Sequence, residues 1–413
     1  MNKKRFLRAG VLCLMLAAPL LSPAQKQAAV PQCESYLFAF FSDNTPYGEQ
    51  IRYALSDDGF NYRALNDGRP VVASDSISRK RSIRDPHILR AQDGKTFYMV
   101  LTDMRSSQGW QSNDGLVLMK STDLLHWEHT AIHFPERFPN LEGFDEKNLH
   151  AVWAPQTIWD EAAQKYMIYY SIGRHDWEYP TDDPNFKQPY FKIFYSYANE
   201  DFTDITEPQL LFDFGTASID GDIVYDRKNG EYVLFFKDEG RPVMNPKGNF
   251  RTRQGVMRAT SKSLTGPYTV EYRHLQKPGQ YPVEGSSVFP LIHSDEYILM
   301  YDCYANGHYQ FCKSADLKNF VYIQDTPTRG NFTPRHGSVM HITREECERL
   351  EAWDDLCLAL DELRRIPVPA FTLAELADRK EVMDAAKRTL ATESDADAFA
   401  RVAKKVRKFA GKF

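Results

Sequence analysis

The sequence predicts an all-β protein: a five-bladed β-propeller, closed by pairing of its N- and C-terminal strands and followed by a helical tail. Three observations predict this fold. A strand–turn–strand pattern occurs five times along the chain, each copy follows an aromatic and β-branched run, and a further short strand precedes four of those runs. Such repeats stack or close radially, because one repeat cannot bury its apolar face alone.

The recurring pattern is an apolar strand, a small polar turn and an aromatic residue. Its five copies are residues 52–62, 118–127, 194–202, 257–268 and 311–320. The preceding aromatic runs are Tyr36–Phe41, Phe97–Leu101, Tyr166–Tyr170, Tyr232–Phe236 and Tyr297–Tyr301. Short apolar stretches bounded by turn residues are typical of strands, so each unit is predicted to be a small antiparallel sheet.

The first strands of four units begin near Asp85, Ala154, Asp220 and Glu284, at spacings of 69, 66 and 64 residues. The N-terminal unit lacks such a strand, and a matching one appears at Gly337–Thr343. We therefore expect one C-terminal strand to pair with three N-terminal strands, which removes the exposed edges of an open array. The predicted propeller domain is residues 25–343, with its strands starting near residue 34.

Three insertions are longer than the connections of a blade require. They are residues 135–150, 173–189 and 238–254. Long connections lie at the surface, so these segments are expected at the rim of the propeller. There they would narrow the central funnel into a pocket.

After Thr343 the period of the apolar residues changes from two to 3.6. One helical face carries Leu350, Trp353, Leu356, Cys357, Leu360 and Leu363. Two prolines follow, and further helices are predicted at residues 373–390 and 396–409. Residues 344–413 are thus a helical extension that packs outside the propeller or mediates association. The basic stretch from Arg401 to Lys412 is interpreted as a solvated helix end.

Residues 1–24 have the pattern of a secretory signal peptide. A basic start is followed by an apolar run over residues 9–21, which is too short to span a bilayer stably. The alternative is a buried N-terminal helix, but the segment has no helix cap and no polar face. We expect an exported protein, periplasmic where the cell has two membranes, with no transmembrane stretch beyond this segment.

Five cysteines follow the signal segment: Cys33, Cys303, Cys312, Cys347 and Cys357. Their spacing matches no zinc pattern, and an odd number leaves at least one unpaired within the chain. A Cys303–Cys312 bridge is one option. Free buried thiols are favoured, because a chain of this size does not need disulfides for stability.

The composition excludes some classes of partner. The net charge is −5, which gives no reason to expect a nucleic acid or an anionic membrane. Aromatic residues make up 13% of the chain, which suits a β-rich protein or a pocket that stacks on sugar rings.

Three short segments carry a carboxylate at what the repeat predicts to be the same structural place. They are residues 83–88, 218–223 and 283–288, with Asp85, Asp220 and Glu284. A radial repeat would bring these carboxylates to one axis, and converging carboxylates are typical of acid–base hydrolysis of a glycosidic bond. On residue type alone, Asp222 and Asp226 compete with Asp220.

Five motifs resemble those of glycoside hydrolase family 43, in the same order and spacing up to about Glu346. They are Arg84-Asp85-Pro86, Trp153-Ala154-Pro155, Ile219-Asp220, Glu284-Gly285 and Arg335-His336-Gly337. The resemblance implies a five-bladed propeller that hydrolyses glycosides with inversion. It implies Asp85 as general base and Glu284 as general acid, with Asp220 orienting the acid and raising its pKa. Like-charge repulsion would then keep Glu284 protonated near neutral pH.

The resemblance also implies that Trp153, Arg335 and His336 bind the substrate. Trp153 is a candidate floor for the sugar and equally a candidate core residue. Arg335 would either bind sugar hydroxyls or pair with Asp220. In relatives, a histidine equivalent to His336 contacts a central water, a metal ion or the substrate. No cofactor is required, and a calcium ion, if bound, would be structural.

The function implied by the resemblance is exo-acting removal of terminal sugars from plant polysaccharide side chains. We expect an α-L-arabinofuranosidase first, then a β-xylosidase, then an exo-β-galactosidase. Gln156 stands where arabinan-acting relatives often carry an acid, and no C-terminal β-sandwich of the kind found in many β-xylosidases is recognisable.

Three other interpretations of the propeller differ in function. Retaining fructan hydrolases share an Arg-Asp-Pro motif, but their nucleophile motif and their Glu-Cys acid are missing from this sequence. From another class, a carbohydrate-binding propeller without catalysis stays open, and a scaffold propeller with a functional tail is less favoured. An oligo- or polysaccharide is the expected partner of both the enzyme and the binding module.

Overall fold

The computed structural model describes residues 31–179, 189–240, 244, 248, 250–327 and 330–413. The predicted signal peptide lies outside these ranges, as do parts of two predicted rim insertions. Within the described ranges, the strands form five antiparallel sheets of four strands each. The predicted five-bladed propeller is confirmed.

The strands are named in chain order. The N-terminal strands are β1 (Cys33–Phe40), β2 (Arg52–Ser56) and β3 (Arg63–Ala64). Blade 1 contains β4 (Ile83–Arg90), β5 (Phe97–Asp103), β6 (Gly115–Ser121) and β7 (Glu128–His133). Blade 2 contains β8 (Leu149–Asp160), β9 (Lys165–Arg174), β10 (Tyr190–Tyr197) and β11 (Gln209–Phe212). Blade 3 contains β12 (Ser218–Asp226), β13 (Glu231–Asp238), β14 (Val256–Ser261) and β15 (Thr269–Glu271). Blade 4 contains β16 (Glu284–Pro290), β17 (Tyr297–Cys303), β18 (His308–Ser314) and β19 (Val321–Pro327).

Blade 5 closes the ring. Its inner strand is β20 (Gly337–Thr343), which pairs antiparallel with β1 from Gly337 opposite Phe40 to Thr343 opposite Cys33. The inner strands β4, β8, β12, β16 and β20 contact one another in sequence around the axis. The two ends of the propeller thus share one sheet, and blade 5 contacts blades 4 and 1, so the ring is closed as the sequence predicts.

Apolar side chains fill the spaces between neighbouring blades. Leu37 of blade 5 and Met99 of blade 1 lie in one fully buried cluster, and Tyr169 of blade 2 and Phe236 of blade 3 lie in another. Burying one such side chain stabilises the fold by about 1.5–3 kcal/mol. The apolar side chains packed between neighbouring blades therefore hold the inner strands in place around the axis.

Four α-helices lie in the described ranges. They are α1 (Phe134–Arg137), α2 (Arg344–Arg365), α3 (Leu373–Thr392) and α4 (Ala396–Ala410). The last three confirm the predicted helices to within two residues. Thr343 and Glu346 form a capping box at the start of α2. Leu350 then packs into the buried cluster that blades 5 and 1 share, so α2 lies against the outside of the propeller.

The five cysteines of the described chain are all free thiols, and Cys303 and Cys312 are buried without a bridge. This agrees with the favoured prediction of free thiols. None of the helices in the described ranges is long and apolar enough to cross a membrane.

Candidate functional site

The inner strands of blades 1 to 4 each contain a register shift in their pairing with the second strand, at the same position in each blade. The pairing register shifts between Arg84 and His87, Trp153 and Gln156, Ile219 and Asp222, and Glu284 and Ser287. Within each shift one residue has a positive φ: 49° at Asp85, 46° at Ala154, 54° at Asp220 and 59° at Gly285. Positive φ at a non-glycine residue costs on the order of 1–3 kcal/mol. Bulges of this kind re-aim side chains, here toward the axis.

These shifts define two rings of residues around the axis. The Glu284 ring contains Arg84, Trp153, Ile219, Glu284 and, from blade 5, Arg335. The Asp85 ring contains the next residue of each blade: Asp85, Ala154, Asp220, Gly285 and His336. All of these residues except Ala154 and Gly285 line one cavity with a volume of about 510 Å³. All six residues predicted as site residues line this cavity.

The register corrects one prediction. The three carboxylates were expected at equivalent places, but only Asp85 and Asp220 share a position. Glu284 lies one residue earlier in its strand, at the position of Arg84 and Ile219. In blade 4 the positive-φ position is filled by Gly285, so the carboxylate of Glu284 enters the cavity from the other ring.

His336 lies between the two aspartates of the Asp85 ring. Its Nδ1 is 3.4 Å from Oδ1 of Asp85 and 3.9 Å from Oδ2 of Asp220. Burial opposes the charged form, but the two carboxylates raise the pKa of His336 to about 9. The imidazole is therefore a cation at neutral pH.

Asp85 is held in its ionised form. Burial alone would raise the pKa of its carboxyl, but the hydrogen bond and charge of His336 hold this pKa below its usual range. Thr102 Oγ1 also donates a hydrogen bond to Oδ2 of Asp85, at 2.8 Å. A buried carboxylate kept ionised can accept a proton, as a general base must.

Each carboxylate oxygen of Glu284 is paired with a cation. Lys237 Nζ lies 3.1 Å from Oε2, and Arg335 Nη2 lies 2.9 Å from Oε1. Burial alone would raise the pKa of Glu284, but these two charges lower it. This corrects the expectation that repulsion by a neighbouring carboxylate keeps Glu284 protonated near neutral pH: the two adjacent cations outweigh that repulsion.

The two cations have partners of their own. Lys237 Nζ is 2.7 Å from Oε2 of Glu239, and Arg335 Nε is 2.5 Å from Oδ2 of Asp302. Arg335 therefore pairs with Glu284 and Asp302, whereas the sequence allowed a pair with Asp220. The result is a row of alternating charges along one wall of the cavity.

Asp220 contacts the backbone beside the predicted acid. Its Oδ2 accepts a hydrogen bond of 3.0 Å from the N–H of Gly285. Burial raises the pKa of the Asp220 carboxyl, and the negative charge of Glu284 adds to this rise. Asp220 is thus well placed to fix the strand start that carries Glu284.

Trp153 stacks on Phe191, with ring centroids 4.6 Å apart and an interplanar angle of 19°. Its indole Nε1 is buried and has no hydrogen-bond partner among the described residues. Trp153 therefore lines the cavity with part of its ring, while its indole N–H is buried and unpaired among the described residues.

A family model described as a probable glycosyl hydrolase domain matches residues 31–348. The chain belongs to this glycosyl hydrolase family. The match spans all five blades and ends within α2, so the predicted relationship to glycoside hydrolase family 43 and the predicted enzyme class are confirmed at the level of the family.

An α-L-arabinofuranosidase of Bifidobacterium longum is 26% identical to this chain over 302 residues, which are 65% of the chain. The chain spans about 27% of the length of that relative. A solved family 43 β-1,3-galactosidase superposes with a TM-score of 0.50 at 12% identity, over 71% of this chain and 57% of its own. A thermostable family 43 hydrolase gives a TM-score of 0.44 at 17% identity, over 65% and 82%. At 12% identity the galactosidase structure supports the fold alone.

Sequence reasoning missed several residues that lie in or beside the cavity, among them Trp110, Lys237, Glu239 and Asp302. Lys237 and Asp302 lie near the ends of β13 and β17, the second strands of their blades. They pair with Ile219 and Glu284, and the equivalent positions of blades 1 and 2 hold Thr102 and Ser171. Because these two residues are not ionisable, the repeat gave no signal for Lys237 and Asp302.

In the described ranges, no group of three or more His, Cys, Asp or Glu side chains could hold a metal ion.

Proposed function

We propose that this protein is an exo-acting, inverting glycoside hydrolase that removes terminal sugars from polysaccharide side chains. The observation that carries the proposal is the pairing, in one cavity, of an ionised Asp85 with a carboxyl group, Glu284, that enters from a separate ring. Inverting hydrolysis needs a general base and a general acid on different sides of the sugar. Membership in a glycosyl hydrolase family supports the proposal.

In the proposed reaction, Asp85 accepts a proton from a water molecule as the water oxygen attacks the anomeric carbon. Glu284 donates its proton to the glycosidic oxygen as the bond between that oxygen and the anomeric carbon breaks. The anomeric configuration inverts, and exchange with solvent returns both carboxyl groups to their starting forms. Because Lys237 and Arg335 favour the ionised form of Glu284, we expect the highest activity at acidic pH.

The proposed sugar is α-L-arabinofuranose. The 26% identity to an arabinofuranosidase over 302 residues supports this choice. A β-D-galactoside and a β-D-xyloside are the alternatives. The ring of Trp153 lines the cavity and supports packing of a sugar there. The basic and apolar N-terminus supports export to where polysaccharides are found.

The test is release of a monosaccharide from nitrophenyl glycosides of the three sugars and from arabinan, arabinoxylan and arabinogalactan. Asp85→Asn and Glu284→Gln should each reduce the rate on the polysaccharide by about 10²–10⁴-fold, the usual contribution of a general acid or base. Glu296→Gln, a half-exposed residue of the same blade that pairs with Lys313, is the matched control and should retain full activity.

Wild-type rates in both variants would contradict the assignment of the acid and the base. A wild-type protein that binds one of the glycans without releasing any sugar would favour the carbohydrate-binding propeller instead.

A further inference from the structure

Trp110 has no role in the reaction proposed above, yet it lines the same cavity. Its side chain is 53% exposed, whereas the Arg84 side chain beneath it is 6% exposed. Single exposed aromatic residues are common on protein surfaces and need no explanation by themselves. Trp110, however, lies at the mouth of the cavity that contains Asp85 and Glu284.

Trp110 is held in place from one side. The guanidinium carbon of Arg84 lies 5.4 Å from the centroid of the Trp110 ring and 4.3 Å from that of Phe41. Arg84 Nη1 donates hydrogen bonds to Asn44 Oδ1 at 2.8 Å and to Oε1 of the buried Glu49 at 3.1 Å. One face of the indole therefore rests on a fixed, charge-compensated guanidinium, and its other face is open.

The loop that carries Trp110 is anchored at both ends. At its start, the N–H of Ser106 donates to Oε1 of Glu49 at 3.0 Å. At its end, the side-chain amide of Asn113 donates to the carbonyls of Asp103 and Gly115 and accepts a hydrogen bond from the N–H of Val152. The open face of Trp110 is thus presented in a defined position, so binding would require little reordering of the loop.

Trp110 and Glu284 stand on different walls of the mouth. Glu284 belongs to blade 4, while Trp110 and the Arg84 below it belong to blade 1, and blade 5 lies between them on one side of the ring. A terminal sugar that reaches Asp85 fills the buried part of the cavity. The remainder of the substrate must then leave through the mouth, past the exposed ring.

We propose that the open face of Trp110 stacks on the sugar unit next to the one released, so that this residue selects oligosaccharide and polysaccharide substrates over small glycosides. Sugar rings present flat C–H faces that pack on aromatic rings, while their hydroxyls stay in water at the rim. This inference rests on the proposed glycosidase function and adds the class of leaving group to it.

The test compares two substrates of the same released sugar: an oligosaccharide, and a glycosyl fluoride whose leaving group is too small to reach Trp110. Trp110→Ala should raise KM for the oligosaccharide about tenfold, equivalent to about 1.4 kcal/mol, with kcat changed by less than about threefold. Both constants for the fluoride should stay at wild-type values. Trp110→Phe should restore most of the affinity. Tyr225→Ala, a 45% exposed aromatic residue of β12 outside the cavity, is the control and should change nothing.

Equal losses on both substrates would overturn the proposal, because Trp110 would then act on the released sugar or on the shape of the pocket. Unchanged kinetics on both substrates would overturn it as well. Calorimetry of the oligosaccharide binding to Glu284→Gln, with and without Trp110→Ala, gives a readout that does not require catalysis. If the wild-type protein hydrolyses neither substrate, the proposed function is contradicted. If Trp110→Ala nevertheless lowers the affinity for the oligosaccharide, the role of Trp110 in binding is supported.

Discussion

Glu284 is the residue whose surroundings determine the chemistry most directly. Its two oxygens are occupied by Lys237 at 3.1 Å and Arg335 at 2.9 Å, and each cation is shared with a second carboxylate. Asp85, in contrast, faces the imidazolium of His336. Both carboxyl groups therefore have lowered pKa values, although only one of them is expected to act as an acid.

This arrangement predicts a specific pH effect. Lys237→Gln removes one cation, so burial and the negative charges of Glu239 and Asp220 should raise the pKa of Glu284. Glu284 acts only when protonated, and activity is lost as pH rises through its pKa. The alkaline limb of kcat/KM should therefore move to higher pH.

A pH profile of the variant beside the wild type makes this measurement. Lys192→Gln is the control, because Lys192 pairs with Asp213 at 2.9 Å and does not line the cavity. An alkaline limb that stays in place or moves to lower pH in Lys237→Gln would show that Lys237 does not control the ionisation of the acid.

The predicted carboxylates were recognisable because each stands in a local motif beside a strand start. Lys237 was not recognisable, since its importance depends on which residue of the next blade lies opposite the end of β13. The direction of the pKa shift of Glu284 could not be predicted for the same reason. The charges nearest to Glu284 come from other blades and are not its neighbours in sequence.

At the scale of elements, the bulge repeated in the inner strands builds the site. It places Asp85, Ala154, Asp220 and Gly285 at positive φ and so turns successive residues toward the axis. In blade 4 this position is occupied by Gly285, which lies against the imidazole ring of His336. A Cβ added to Gly285 would lie 2.6 Å from the imidazole, closer than real Cβ contacts allow.

Gly285→Ala should therefore reduce both stability and activity. The positive φ of 59° disfavours alanine by about 1–2 kcal/mol, and the clash should move His336 away from Asp85. Gly230→Ala is a matched control, because its φ of 60° imposes the same backbone penalty while the nearest atom to its Cβ is 3.8 Å away.

Thermal unfolding and kcat/KM distinguish the two variants. We expect both to lose stability and only Gly285→Ala to lose activity, by an order of magnitude or more. Wild-type activity in Gly285→Ala would show that the position of His336 does not matter for the reaction.

The strands themselves could be predicted because apolar runs and turn residues are local signals. The register shift that separates Glu284 from Asp85 and Asp220 could not, since it depends on pairing with the second strand of each blade. A shift of one residue moves a side chain to a different level of the axis, so equivalent motifs in sequence need not be equivalent in space.

On the scale of the whole molecule, α2 ties the helical tail to the point where the propeller closes. Glu346 pairs with Arg90 of β4 at 2.6 Å, and the same guanidinium donates to the carbonyl of His341 in β20. One side chain of the tail thus links the inner strand of blade 1 to that of blade 5. The closing strand was predictable from an unpaired strand at each end, but this attachment was not.

Glu346→Gln should break this ion pair, while glutamine can still complete the capping box of α2. We expect the free energy of unfolding to fall by about 2–4 kcal/mol, because the largely buried guanidinium of Arg90 loses its charge partner. Glu345→Gln, at a neighbouring position where the side chain is 85% exposed, should have almost no effect. Denaturant unfolding of both variants measures the difference, and equal stabilities would contradict a structural role for the tail.

The catalytic activity of Glu346→Gln at low temperature should be unchanged, because α2 does not line the cavity.

The central claim, inverting hydrolysis by Asp85 and Glu284, is tested most directly by time-resolved proton NMR of the first sugar released from an active substrate. We predict that the product appears first as the anomer opposite to that of the substrate, and that Asp85→Asn and Glu284→Gln abolish its appearance on this timescale. First appearance of the retained anomer would require a covalent intermediate and would contradict the mechanism.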